Sequence, residues 1–292
     1  MKTLLLLPAL LAVTALAQPS ATMRPALLSS LDVEISSSSK ENLERGGTGY
    51  GTVSVLSTSL SVSGRHSLDA STMFIYGLAY ERHDLDATTG LLPGKLAELS
   101  VNLGLQRRFS ATWSGAVFAR PGFYSDFEHL TSRSLNLPVL AMLNYTQSST
   151  LTWNFGLNLN AFSDHPVLPI AGVRWQFAPD WTFSIGFPQS GFSWRTGDWL
   201  TLRAGVGFTG GSFRVTENRG VPAPGIARLA DTYLDFREVR AGLGADFNLS
   251  SGFKLAVDLG AVTDRKFDYF DRDFRLDGDT GLYGTVALRA SF

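Results

Sequence analysis

From Leu151 to Ala161 every odd residue is apolar and every even one is Thr, Asn or Gly. A period of two places these sets on opposite faces of a β-strand. No other feature restricts the fold so strongly, because the pattern recurs. Residues 200–209, 239–247 and 253–261 alternate in the same way, and Ala97, Leu99, Val101, Leu103 and Leu105 oppose Glu98, Ser100, Asn102 and Gln106. The apolar faces are continuous, while the polar faces are rich in Gly, Asn and charge. In a soluble sandwich the apolar faces would pack on each other. In a transmembrane barrel they would meet lipid, and the polar faces would line a lumen. The 29 Gly and 12 Pro scattered along the chain exclude a long helical repeat.

The two ends favour the barrel. In the final stretch Leu282, Val286, Leu288, Ala290 and Phe292 share one face, and Thr285, Arg289 and Ser291 share the other. Such a strand closed by an aromatic is expected to be read by barrel-assembly machinery, with Phe292 as the sorting signal. At the other end Lys2, the apolar run 4–16 and the small-x-small site Ala15-Leu16-Ala17 form a signal peptide over 1–17. A short periplasmic segment, 18–30, follows, and the barrel occupies 31–292. No later stretch approaches the roughly 20 apolar residues of a membrane helix. With no cysteine there is neither a lipid-modified N-terminus nor a disulfide framework. A net charge of −1 gives no argument for nucleic acid as a partner. The expected location is the outer membrane of a Gram-negative bacterium, among its lipids.

The fold class expected is all-β: a single antiparallel up-and-down transmembrane barrel of about 14 strands. They lie near 31–38, 51–63, 72–84, 96–108, 112–123, 136–146, 151–161, 168–177, 181–187, 191–195, 199–215, 234–248, 253–264 and 280–292. The ambiguous stretch is 181–195, where Trp181, Phe183, Ile185 and Phe187 share one parity and Phe192 and Trp194 the other. A turn at 188–191 puts the long connections 39–50, 85–95, 124–135, 216–233 and 265–279 on the outside and the brief ones in the periplasm. Twelve strands, with 181–195 merged and the first strand discounted, is the alternative count.

Tryptophan tests this arrangement independently. Trp113, Trp153, Trp175, Trp181, Trp194 and Trp199 all lie within three residues of an expected short turn. That predicts an aromatic girdle at the periplasmic interface, where indole rings prefer to sit. The strand Pro169-Ile-Ala-Gly-Val-Arg-Trp175, the segment 181–188 and the terminal Phe292 together resemble an uncharacterised family of Gram-negative outer-membrane β-barrels. The resemblance implies a membrane location and a barrel fold. It implies no cargo or chemistry.

Residues that could carry chemistry are few. His66, His83, His129 and His165 fall in or beside expected turns and loops, so they read as solvated loop histidines, and no G-x-S-x-G elbow occurs. The carboxylates of 271–279 fail the EF-hand pattern, since Arg275 takes a ligand place and Gly284 falls where the bidentate Glu belongs. They read as a solvated loop, with a loosely held divalent ion as the sharper alternative. No cofactor, metal or catalytic residue is expected, and the chain is not read as an enzyme.

The inward-facing charges are more informative. Arg174, Arg203 and Arg289 should lie at similar height near Asp246 and Asp258, with Glu238 and Arg240 higher on the same wall. Two readings are open: a salt-bridge network filling the lumen, or a constriction that selects solutes by charge. The function expected is passive, a channel for small hydrophilic solutes. The alternative is a closed structural or adhesive barrel whose surface loops contact a partner, and an outer-membrane enzyme comes a distant third.

Overall fold

The computed structural model describes residues 28–186 and 188–292. The signal peptide and most of the 18–30 segment lie outside them. Fourteen strands form one closed antiparallel barrel. They are β1 (Ser30–Arg45), β2 (Thr48–Ser67), β3 (Thr72–Ala87), β4 (Lys95–Arg108), β5 (Trp113–Ala119 with Gly122–Ser125), β6 (Leu135–Asn136 with Val139–Thr146) and β7 (Leu151–Leu159). The ring continues with β8 (Val167–Ala178), β9 (Trp181–Ile185), β10 (Gln189–Arg195), β11 (Leu200–Val215), β12 (Thr232–Ser250), β13 (Phe253–Tyr269) and β14 (Phe274–Gly278 with Gly281–Ser291). Closure is made by β1 against β14, in register from Ser30↔Ser291 to Ser38↔Tyr283. Pro121 and Pro138, which offer no N–H to a ladder, mark the breaks in β5 and β6. Arg120 N still bonds Pro138 O across them at 2.9 Å.

The ambiguous stretch 181–195 is a hairpin. Trp181 pairs with Trp194 and Phe183 with Phe192, so the opposed parities belong to two short strands. Fourteen strands, not twelve, close the ring.

Several expected loops are strand instead. Residues 39–50 are the tops of β1 and β2, joined at Gly46 and Gly47, whose φ values of 57° and 79° suit glycine. Most of 265–279 extends β13 and β14, and β3 runs on to Ala87. The physical reason is an exchange of faces. Towards the wide-loop end the alternation continues, but its apolar set turns inward. Leu43, Val53, Val55, Leu85, Phe236, Phe267, Tyr269, Phe274 and Leu276 are buried inside the barrel there. The outward set is charged, with Lys40 bridging Asp86 at 2.8 Å and Lys266 bridging Asp264 at 3.2 Å. Lower down the order is the reverse: Leu157, Leu202, Leu243, Leu259 and Val286 are exposed on the outer wall.

The buried apolar set forms a lid. Above Phe123, β5 leaves β6 and takes β11 as its neighbour, pairing Ser125 with Arg214 in parallel. Fourteen strands therefore close the lower barrel, but only β11 to β14, β1 to β4 and the tip of β5 close the upper one. Its interior is packed, with Phe236 stacked on Phe267 at 5.1 Å and loop residues Leu92, Phe162 and Leu229 completing the core.

Asp126 holds the seam beside that junction. It accepts hydrogen bonds from Thr216 N (2.8 Å), Thr216 Oγ1 (2.6 Å) and Glu217 N (3.1 Å). Burial pushes the Asp126 carboxyl up, but these bonds outweigh it and hold it below the usual carboxylate range. A depressed carboxyl adds stability above its unfolded value, about 3.9, and loses it as pH falls through the folded value. Asp126→Asn should therefore melt lower than the wild type at pH 7, and the two melting curves should converge in acid. An offset independent of pH would show that the charge does not hold the seam.

Candidate functional site

The lumen below the lid is polar, and its charged residues fall into separate groups. Arg203 on β11 reaches two carboxylates on the next two strands, Asp246 of β12 at 2.9 Å and Asp258 of β13 at 3.0 Å. Gly244 makes this triad possible. A Cβ there would stand 2.2 Å from Asp258 Oδ1 and 3.0 Å from Arg203 Nη2. Higher on the same wall Glu238 accepts from Arg265 Nε at 2.8 Å and from Arg240 Nη2 at 2.6 Å. Arg240 also donates to Ser36 Oγ (2.7 Å) and Arg265 to Ser38 Oγ (2.6 Å). Arg240 lies over the Tyr283 ring at 5.0 Å. Lower down Arg289 approaches Asp32 at 3.6 Å. Arg174 is exposed and makes no ion pair among the described residues.

The seven charges expected to cluster thus divide into a lower triad, an upper network, and Arg289 and Arg174 apart from both. Arg265 is the member that sequence reasoning missed. It falls in the expected loop 265–279, where no parity applies.

Exposure inside the ring measures how far water reaches. Side-chain exposure is 56% at Arg289, between 23% and 29% in the Arg203 triad, 11% at Arg240 and zero at Glu238 and Arg265. The ladder register fixes the height of these residues, with Lys254↔Arg289 lowest and Glu238↔Arg265 highest. The lumen is therefore wet at the short-turn end and shut at the lid.

The opposite wall carries a second missed set. Glu98 bonds Arg120 Nη2 at 2.6 Å, and Tyr124 donates to Arg120 O at 2.8 Å. His83 is buried, contrary to the expectation of a solvated loop histidine, because β3 continues past it into the barrel. Its Nδ1 lies 2.8 Å from Ser57 Oγ, and its Nε2 stands 3.3 Å from Glu81 without hydrogen-bond geometry. The chain Ser57–His83–Glu81 has the residue types of a catalytic triad, but the ring is held edge-on between Phe213 and Phe236 at the base of the lid. His66, His129 and His165 are exposed.

Beneath the lid, where β5 crosses to β11, lies a cavity of about 500 Å³. Glu81, Glu98, Asn102, Arg120, Asn158 and Asn160 line it, with Phe118, Leu140 and Phe213 among its apolar residues. Asn160 Nδ2 reaches Ser212 Oγ on β11 at 3.3 Å. The cavity also touches Leu103 and Val139, which have the outward parity of their strands.

The six tryptophans are all exposed on the outer wall beside the short turns. Trp181 stacks on Trp194 at 5.4 Å, and Trp113 meets Tyr145 at 4.8 Å. Phe292 is exposed at the closing seam, its N–H bonded to Ser29 O at 3.0 Å. The acidic run 271–279 does not converge: Asp271 accepts from Thr232 Oγ1, Asp277 pairs with Arg275 at 3.1 Å, and Asp279 takes Asn42 Nδ2 at 2.9 Å.

Among solved structures, the barrel is similar to an outer-membrane channel from Pseudomonas putida F1, with 11% identity, 94% of this chain and 100% of that chain covered, and a TM-score of 0.48. It is similar also to the deltaS2S3 mutant of the monoaromatic hydrocarbon channel TodX, with 8% identity, 91% of each chain covered and a TM-score of 0.51. The toluene transporter TbuX from Ralstonia pickettii shares 7% identity over 91% of this chain and 90% of its own, with a TM-score of 0.43. At such identities the likeness is one of fold. No curated protein sequence matches. The sequence pattern of a domain of unknown function, DUF6268, matches residues 60–276, which is most of the chain, and the protein belongs to that family.

Proposed function

We propose that the protein is an outer-membrane channel for small hydrophilic solutes, entered axially from the periplasmic, short-turn end and left sideways beneath the lid. The graded exposure of the lumen charges carries this reading. Water reaches Arg289 and the Arg203 triad, and the axial way out is blocked by packed aromatic and aliphatic side chains. The cavity at the crossing of β5 and β11 supplies the remaining route. Single-channel recording in planar bilayers tests it: inserted, heat-modifiable protein should give discrete conductance steps. Silence from correctly inserted barrels would favour the closed structural or adhesive reading, which the packed lid also suits.

Three further outcomes follow from the same reading. Neutralising Arg203 and Arg289 together leaves Asp32, Asp246 and Asp258 to dominate the field, so the reversal potential under a salt gradient should move towards cation selectivity. Replacing lipid-facing Leu243 with Arg should cost about 2–4 kcal/mol in refolding into vesicles. The same change at Thr201, on the inward parity, should cost much less; equal costs would mean the faces are misassigned. The exposed Trp residues would form the periplasmic interface belt, and Phe292 the contact for barrel-assembly machinery. Phe292→Ala should then lower the yield of assembled barrel without changing its conductance.

A further inference from the structure

We propose that the cavity under the lid is a binding site for uncharged, hydroxyl-bearing ring compounds, the chemistry of a neutral monosaccharide. The inference rests on the channel reading and names the solute class for which that channel is built.

The cavity's volume of about 500 Å³ is ample for a six-membered ring with its substituents. Its lining is of two kinds, and they stand side by side: Phe118 is opposite Leu140 in the ladder, and Leu140 is opposite Asn158. Phe118, Leu140 and Phe213 offer flat apolar surface, suited to the C–H face of such a ring. Beside them the lining offers unused hydrogen-bonding capacity. Among the described residues, the side-chain amides of Asn102 and Asn158 make no hydrogen bond to protein, and Arg120 Nε is buried without a partner. Each amide can donate twice and accept, and the guanidinium only donates. A hydroxyl is the group that answers both, because it donates and accepts through one atom. Leaving such groups desolvated and unpaired is costly, which disfavours a hydrocarbon occupant.

The charges point away from an ionic solute. Arg120 is already paired with Glu98 at 2.6 Å, so an anion would have to displace that carboxylate. Glu81 lies in the field of Arg120 and Arg240 and beside His83, so it offers no isolated negative charge to a cation. A neutral solute disturbs neither arrangement.

The test uses the full chain in planar bilayers, with glucose, glucuronate and glucosamine as probes of equal frame and different charge. Glucose should reduce the current saturably, and the two charged analogues should do so at least tenfold more weakly. Asn102→Leu and Asn158→Leu should each raise the apparent Kd for glucose about tenfold or more, the loss of roughly 1.4 kcal/mol. Heat-modifiability confirms that each variant is folded, and Asn158→Ser serves should the leucine variant not be. A linear, non-saturating effect of glucose, or tighter binding of either charged analogue, would overturn the proposal while leaving the channel intact. If no current flows at all, the channel reading fails. Calorimetry of glucose with the detergent-solubilised barrel then decides the site alone: saturable heat lost in Asn158→Leu sustains it, and no heat overturns it.

Discussion

Replacing Glu238 with Leu is expected to destabilise the barrel by about 3–5 kcal/mol, the cost of stripping one partner from a buried ion pair. The carboxylate serves two guanidiniums, Arg265 at 2.8 Å and Arg240 at 2.6 Å, and Arg265 is wholly buried. Arg265 also donates to Val53 O and Ser38 Oγ, and these bonds would remain, but neither supplies charge. Arg203→Leu gives the contrast. Its two aspartates are about a quarter exposed, so lumen water screens what is lost and the cost should be far smaller. Urea titration of refolding into vesicles measures both. Equal costs would mean that the upper network is as wet as the lower triad.

The second large effect concerns the lid. Phe236 and Phe267 stack at 5.1 Å in the middle of its core, and both are fully buried or nearly so. Truncating either to Ala should cost about 3–5 kcal/mol, with the pair together costing less than the sum because they touch each other. If this core closes the axial route, Phe236→Ala with Phe267→Ala should also raise unit conductance several-fold and weaken the dependence of current on solutes that occupy the side cavity. Lower stability with unchanged conductance would show that the axis is sealed elsewhere.

The strand order was legible because a period of two survives in nearly every strand, and even the opposed parities of Trp181 and Trp194 carried their message once a turn was placed between them. Three things escaped. The tops of β1, β2, β13 and β14 resemble loops in sequence, because their apolar stripe turns inward instead of outward. Arg265 followed them out of view, and with it the partner that makes Glu238 a buried group. The crossing of β5 to β11 leaves no local trace: Ser125 and Arg214 meet only in the folded ring, and neither residue type announces a parallel pairing. The far wall was readable in part. Glu98 stands on the polar parity of β4, but nothing in the sequence joins it to Arg120 in the break beside Pro121.

The exchange of faces along the strands has a bearing on register. In a barrel of uniform alternation, sliding one strand by two residues restores the same inward and outward sets, so the error is cheap; a slip by one inverts every side chain and is not. Here a two-residue slide would carry Arg237 or Lys266 towards hydrocarbon, or lower Phe236 and Phe267 into the wet lumen. Each tall strand thus holds a fixed mark along its length, and neighbouring strands agree only when their marks align. The boundary between the two solvents serves as a ruler by which the even-numbered misalignments, otherwise nearly silent, become expensive.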